Sequence, residues 1–130
     1  NSGILISKII YIKEGYKKDF IILDTAMNDL MRPALYNASH RIIPGEKKSS
    51  ISSKMYEFVG PICESTDKFA TLKNFQELKE KDLVAICDVG AYGMSLSSNY
   101  NLRLKPLELL IKGSNKIKVI RQRQKYKDII

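Results

Sequence analysis

Tryptophan is absent from this 130-residue chain, histidine occurs once, cysteine twice, and no apolar run approaches the roughly 20 residues needed to cross a bilayer. Each shortage removes a class of function. Cys63 and Cys87 lack the CxxC spacing of a zinc site or redox pair and are too few for a disulfide scaffold, so both read as thiols. With His40 as the one imidazole, no metal cluster and no triad of nucleophile, base and orienter is recognisable, and His40 itself reads as a structural or interface residue. No glycine loop of phosphate-binding pattern is present, and no helical pattern lasts long enough for an α/β crossover. The opening Asn1-Ser2-Gly3-Ile4 lacks the basic flank of a signal peptide, so the expected setting is soluble and cytoplasmic, with no membrane partner. Because the first residue is not Met, the chain reads as a piece of something longer.

What remains is an ordinary globular composition. Apolar residues make up 44% of the sequence, too many for intrinsic disorder, and a single domain of this length buries roughly 68% of its unfolded surface. The formal net charge of +8 raises the question of nucleic acid. The cations are scattered, however, through Lys17-Lys18, Lys47-Lys48, Lys79 to Lys81 and Arg121 to Lys125, with no aromatic-interleaved stripe. A nucleic-acid partner is therefore the least favoured reading.

Strand patterns dominate the chain. Ile4 to Ile12 alternates and ends at Glu14-Gly15, and Phe20 to Asp24 is its natural antiparallel partner. Asn28 or Asp29 can cap a short helical turn, which Pro33 keeps from extending. His40 to Ile43 reads as a further strand, Pro44 to Lys54 as a polar and mobile loop, and Met55 to Gly60 as a return to the sheet. Asn74 to Leu78 suggests one capped helical turn, Lys79 to Asp82 a bend, and Leu83 to Cys87 an apolar strand. Leu107 to Ile111, the turn Lys112-Gly113-Ser114-Asn115 and Ile117 to Ile120 read as a closing hairpin. No internal repeat is visible. The class is mostly β, a Greek-key barrel or sandwich with short helical turns, forming one domain over residues 1–130.

Val59-Gly60-Pro61-Ile62-Cys63-Glu64-Ser65 and Gly90-Ala91-Tyr92-Gly93 carry the chemistry. Cys63 offers a proton donor and Glu64 a cation binder on adjacent residues, while Tyr92 offers a phenol on a glycine-flanked backbone that can approach a ligand closely. Taken singly, each candidate has an ordinary reading. Arg32 is a surface cation, Tyr36 and Tyr92 are half-buried edges, Glu64 is a solvated carboxylate and Cys63 a buried thiol. Together they look like one half of an active site.

The ordered set Met27-Asn28-Asp29, Arg32-Pro33-Ala34-Leu35-Tyr36, Gly60 to Ser65, Gly90 to Gly93 and Ser98-Asn99-Tyr100-Asn101 resembles the C-terminal β domain of the diaminopimelate decarboxylases. These are fold-type III decarboxylases dependent on pyridoxal 5'-phosphate, related to alanine racemase, and the resemblance covers essentially the whole chain. It implies a reaction converting meso-2,6-diaminopimelate to L-lysine and carbon dioxide. It also implies an N-terminal barrel that holds the cofactor through a lysine and its phosphate, with the site shared across a homodimer. By the same resemblance Arg32 and Tyr36 bind the distal carboxylate of the substrate, Glu64 binds its distal ammonium, and Cys63 donates a proton in the partner subunit's site. Tyr92 would contact the substrate and lie near the cofactor phosphate. Elementary chemistry agrees, since Arg suits bidentate carboxylate recognition and a neutral thiol beside a carboxylate suits proton donation.

The sequence departs from the family pattern in three places. Thr25-Ala26 stands for the usual Ala-Gly, Lys81-Asp82 for a common Gly-Asp turn, and Thr66 for the Gly after Cys-Glu-Ser. Loss of glycine at 66 removes easy access to positive φ, so the backbone after Glu64 is expected to be re-aimed. The fragment alone is expected to be inactive. Two other readings stand beside the enzyme part: a non-catalytic remnant or interaction module of the same family, and a basic β-barrel that binds nucleic acid.

Overall fold

Three strands that share a direction, β2, β4 and β6, organise the molecule and determine where its reactive residues emerge. The computed structural model describes residues 2–114 and 116–130. Asn1, and Asn115 of the expected final turn, lie outside the described residues. The strands are β1 (Ile4–Lys13), β2 (Lys18–Leu23), β3 (Ile42–Pro44), β4 (Met55–Val59), β5 (Lys68–Leu72), β6 (Leu83–Cys87), β7 (Glu108–Lys112) and β8 (Lys116–Arg121). Two short helices, α1 (Arg32–Tyr36) and α2 (Gly93–Leu96), and 3-10 turns at Tyr100–Leu102 and Tyr126–Asp128 complete the described elements.

The first six strands form one curled sheet in the order β3-β6-β1-β2-β4-β5. The mostly β class expected from the sequence is what the chain adopts. β1 serves two partners, pairing antiparallel with β6 through Ile4 to Lys8 and with β2 from Ile9 onward. A register shift between Ile9 and Tyr11 lies just past this handover, and such irregularities bend and twist a strand. Ser7, almost wholly buried, donates to Asp24 Oδ1 at 2.6 Å, and the same oxygen accepts the Lys8 N–H at 2.9 Å. β2 then pairs in parallel with β4. Because β6 and β2 are both antiparallel to β1, β2, β4 and β6 run in one sense; β2 and β4 end side by side, while β6 continues about five residues further along β1, to Ile4.

One face of the sheet closes on Ile9, Ile21, Leu23, Leu30, Phe58, Val84 and Ile86, each essentially inaccessible to water. Burying a side chain of this size stabilises by about 1.5–3 kcal/mol relative to exposure. Phe58 and Phe75 meet edge to face with ring centroids 5.4 Å apart, a favoured aromatic geometry. The register also aligns Ile6, Ala85 and Ile43 on the opposite face, where Ile4, Ile6, Ile43 and Leu83 are exposed. β7 and β8 form a separate two-stranded sheet. Its Leu109, Leu110, Ile111, Ile117, Val119 and Ile120 all lie open to solvent, and a lone hairpin is marginal in water.

Two local expectations give way to tertiary contacts. The helical turn expected at residues 74–78 does not form. Instead Gln76 bridges Ile51, accepts the Lys48 N–H at 2.9 Å and donates to Glu46 O at 2.8 Å, while Asn74 adopts φ 55°. The same bonds tie part of the polar 44–54 loop to the body of the domain. β5 was not anticipated, because in Lys68–Leu72 only Phe69 is buried and the pattern carries little signal.

The bend at Lys81 is one position where this chain departs from glycine at a cost. Lys81 holds φ 75°, its N–H donates to Ile9 O at 2.8 Å, and its side chain is exposed. Lys81→Gly is therefore expected to raise stability by about 1 kcal/mol, read as a higher midpoint in chemical denaturation. A lower midpoint would show that the lysine side chain contributes more than the backbone strain costs.

Candidate active site

The end of the sheet where β2 and β4 stop together is built on a buried polar hub. Beyond β2 the chain turns through Met27-Asn28-Asp29, and Asp29 Oδ2 accepts from the Ala26 N–H and the Thr25 hydroxyl, both at 3.0 Å. Burial pushes the Asp29 carboxyl above its ordinary range, opposed by these two bonds, by Arg103 and by Asn28. Asn28 is fully buried. Its backbone carbonyl accepts the Ser98 N–H at 2.9 Å, and its Oδ1 accepts Arg103 Nε at 2.9 Å. Arg103 also donates to Asp24 O and lies 3.9 Å from Asp29 Oδ2. One guanidinium thus supplies the positive charge between two segments remote in sequence.

The loop after β4 is tied to this hub by Asp67. Its Oδ1 accepts the Met27 N–H at 2.7 Å and its Oδ2 the Ile62 N–H at 2.8 Å. Burial pushes the Asp67 carboxyl up, against the lowering effect of these N–H groups and of Arg103, with the Asp29 charge adding to the rise. Gly60 makes the arrangement possible, since a Cβ there would lie 2.2 Å from Asp67 Oδ2. Ile62 is buried and anchors the loop, while Cys63 and Glu64 stand exposed beyond it. Cys63 is therefore not the buried thiol of the ordinary reading. Thr66 is not among the residues with positive φ, so the backbone here makes no demand for glycine. The re-aiming expected from that substitution has no counterpart in a strained backbone.

α1 follows the hub directly, with Pro33 in its first turn and Asn37 ending it at φ 52°. Arg32 Nη1 lies 3.5 Å from His40 Nε2, and His40 Nδ1 lies 2.9 Å from the Cys87 carbonyl. A carbonyl only accepts, so Nδ1 carries the proton and Nε2 faces Arg32 as acceptor. His40, almost fully buried, thereby links α1 to the end of β6, in keeping with its structural reading. Beyond Cys87 the chain reverses through Asp88 at φ 62° and Tyr92 at φ 64°. Gly90 is required there, because a Cβ would meet Ser2 O at 2.3 Å. Tyr36 and Tyr92 are 64% and 63% exposed, so both phenols are presented outward rather than packed as edges.

The five sequence-derived residues thus fall into two groups. Arg32, Tyr36 and Tyr92 belong to the side braced by His40, and Cys63 and Glu64 to the loop braced by Asp67. Among the described residues no hydrogen bond or ion pair joins one group to the other. Sequence reasoning offered Asp29 only as a helix cap, a place Met31 takes without a side-chain bond, and assigned no role to Asp67, Tyr100 or Arg103. Asp29 and Tyr100 were visible within quoted motifs, whereas Asp67 and Arg103 carried no local signal. Tyr100 donates to Glu64 Oε1 at 2.5 Å, and this bond and the carboxylate's charge raise the phenol's pKa.

An open β sheet that presents an exposed thiol, carboxylate and phenols and a half-buried guanidinium at its surface defines a sheet domain. Residues 1–90 match the family model described as pyridoxal-dependent decarboxylase, C-terminal sheet domain, and the chain belongs to that family. It is 41% identical over 130 residues to the diaminopimelate decarboxylase of Aquifex aeolicus (strain VF5), covering all of this chain and 30% of that protein. It is 45% identical over 130 residues to that of Helicobacter pylori, covering 98% of this chain and 31% of the relative. The crystal structure of the Helicobacter pylori enzyme complexed with L-lysine superposes with a TM-score of 0.84 at 44% identity, over 97% of this chain and 30% of that one. The chain therefore spans about a third of the length of the relatives it matches. A lysine decarboxylase from Selenomonas ruminantium, at 20% identity and a TM-score of 0.67, shares the fold.

The family is one of pyridoxal-dependent decarboxylases. Tyr92, exposed on a left-handed turn, can donate to a phosphate oxygen. The described helices are too short to serve as phosphate-binding N-termini. Among the described residues no helix is long and apolar enough to cross a membrane, and no cluster of His, Cys, Asp and Glu could hold a metal ion. Lys18, Lys48, Lys54 and Lys68 are engaged in ion pairs, which thins the basic surface a nucleic acid would need.

Proposed function

We propose that residues 1–130 form the C-terminal domain of a diaminopimelate decarboxylase, which converts meso-2,6-diaminopimelate to L-lysine and carbon dioxide together with an N-terminal barrel and a second subunit. The observation that carries this reading is the set of contacts that gathers the three segments: Asp67 holds the Cys63-Glu64 loop to Met27, His40 joins Arg32 to the end of β6, and Asn28 receives Ser98 just beyond Tyr92. The identities to named diaminopimelate decarboxylases supply the substrate class. The exposed apolar face of β1, β3 and β6 and the exposed β7–β8 hairpin fit a domain that is covered in its complete protein.

In this reading Arg32 and Tyr36 bind the carboxylate at the far end of the substrate, the guanidinium by paired N–H donors and the phenol by one more. His40 holds the guanidinium from behind through Nε2. Glu64 receives the far ammonium, so the two charges of the distal amino-acid group are matched by opposite charges. The chemistry that pyridoxal phosphate supplies when bound is a sink for the electron pair left as carbon dioxide departs. Tyr92 contacts the substrate and the cofactor near its phosphate. Cys63 delivers a proton from Sγ to the carbon that has lost its carboxylate. In the same reading the site is completed across a homodimer, with the Cys63-Glu64 loop serving the partner's substrate.

The chain alone is expected to release no carbon dioxide from meso-2,6-diaminopimelate, and adding a separately produced barrel domain is expected to restore release. Activity of the isolated chain would overturn the shared-site reading. Silence of a complex shown by sedimentation to be assembled would assign the chain to a non-catalytic remnant.

A further inference from the structure

We propose that Tyr100 is a positioning residue that sets specificity for the distal ammonium, because its phenol donates to Glu64 Oε1 and aims that carboxylate. The inference rests on Glu64 as the ammonium binder and adds the residue that fixes its direction. Glu64 stands exposed at a loop tip, and a glutamate there samples several rotamers unless held. The 2.5 Å bond from Tyr100 Oη selects one orientation and leaves Oε2 for a second donor.

The segment that presents Tyr100 is built for that purpose. Asn28 clamps it at both ends, through its carbonyl to the Ser98 N–H at 2.9 Å and through Oδ1 to Arg103 Nε at 2.9 Å. Asn99 crosses it, donating to Arg103 O at 2.8 Å and to Gln124 Oε1 at 2.6 Å. Between these anchors Asn101 and Leu102 both hold left-handed backbone, at φ 56° and 55°. Consecutive non-glycine residues of this kind are strained and persist only where surrounding contacts over-determine them. Asn28 thus reaches Tyr100 through this segment, while its neighbour Met27 reaches the Glu64 loop through Asp67. Donor and acceptor are referenced to one buried turn.

A phenol donor also discriminates. With one oxygen bound by Tyr100, Glu64 offers an incoming ligand a directed acceptor, so an ammonium at the distal carbon gains a bond that a hydrogen there cannot. Three compounds isolate this contribution in the complete enzyme. L-Lysine carries both distal groups, cadaverine lacks the carboxylate, and 6-aminohexanoate lacks the distal ammonium.

Equilibrium binding by calorimetry is the test. Tyr100→Phe keeps the ring and removes the donor. It is expected to weaken L-lysine and cadaverine by about 5- to 10-fold and 6-aminohexanoate by less than about twofold. Glu64→Gln should show the same selectivity with a larger effect, and adding Tyr100→Phe to it should cost less than about twofold more. Equal weakening of all three compounds by Tyr100→Phe would make the tyrosine merely structural, and no weakening would remove it; either overturns the proposal. If Glu64→Gln weakens all three equally or none, the ammonium-binding role of Glu64 falls instead, and the proposal falls with it.

Discussion

Replacing Cys63 by alanine in the complete enzyme is expected to lower kcat by about 10²- to 10⁴-fold while KM for meso-2,6-diaminopimelate changes by less than about threefold. Proton delivery to carbon acts in the transition state, and the ground-state complex gains little from it. The structure separates this effect from damage to the fold. Cys63 is exposed, and the loop beneath it is held by Ile62 and by the Asp67 bonds to Met27 and Ile62, none of which involve the thiol. The check is steady-state release of carbon dioxide from variant and parent, with Glu64 left intact. Unchanged turnover would remove Cys63 from the reaction. A rise in KM with turnover preserved would make it a binding residue.

Arg32→Ala is expected to weaken L-lysine and 6-aminohexanoate by about 10²-fold and to leave cadaverine within about twofold. Truncating one side of a hydrogen-bonded charge pair costs about 2–5 kcal/mol, and each 1.4 kcal/mol is tenfold in affinity. The sharp selectivity follows from geometry. Arg32 lies beside His40 Nε2, and no ion pair involving it is found among the described residues. A ligand carboxylate would supply the missing anion. Equal weakening of cadaverine would make Arg32 a residue of the α1 and β6 junction instead. The same calorimetric series distinguishes the two ends of the substrate's distal group, since Arg32 and Glu64 variants should show opposite preferences.

The elements legible in the sequence are those whose pattern is local. β1 and β2 alternate and are joined by a short turn, so their antiparallel pairing follows from the chain itself. β6 reads as continuously apolar because residues on both of its faces are apolar, with Val84 and Ile86 in the core and Ala85 and Cys87 behind them. The resemblance to a known family, carried by ordered motifs, likewise marked Arg32, Tyr36, Cys63, Glu64 and Tyr92 as a set. The helical turn expected at residues 74–78 failed for the opposite reason. Gln76 finds partners at Glu46, Lys48 and Ile51, and these distant bonds outweigh a weak local preference.

The sequence by itself determined the strand-rich class, the reactive residue types and the family pattern, because composition, alternation and ordered motifs are properties of neighbours along the chain. Tertiary structure alone decided that β2 and β4 pair in parallel and end together, since no local signal specifies a parallel register. It also decided the supports of the site. Met27 meets Asp67 across 40 positions, Tyr100 meets Glu64 across 36, and Arg103 meets Asn28 across 75. A hydrogen bond depends on where two groups sit in space, and separations of that size become contacts only after the sheet has closed on its core.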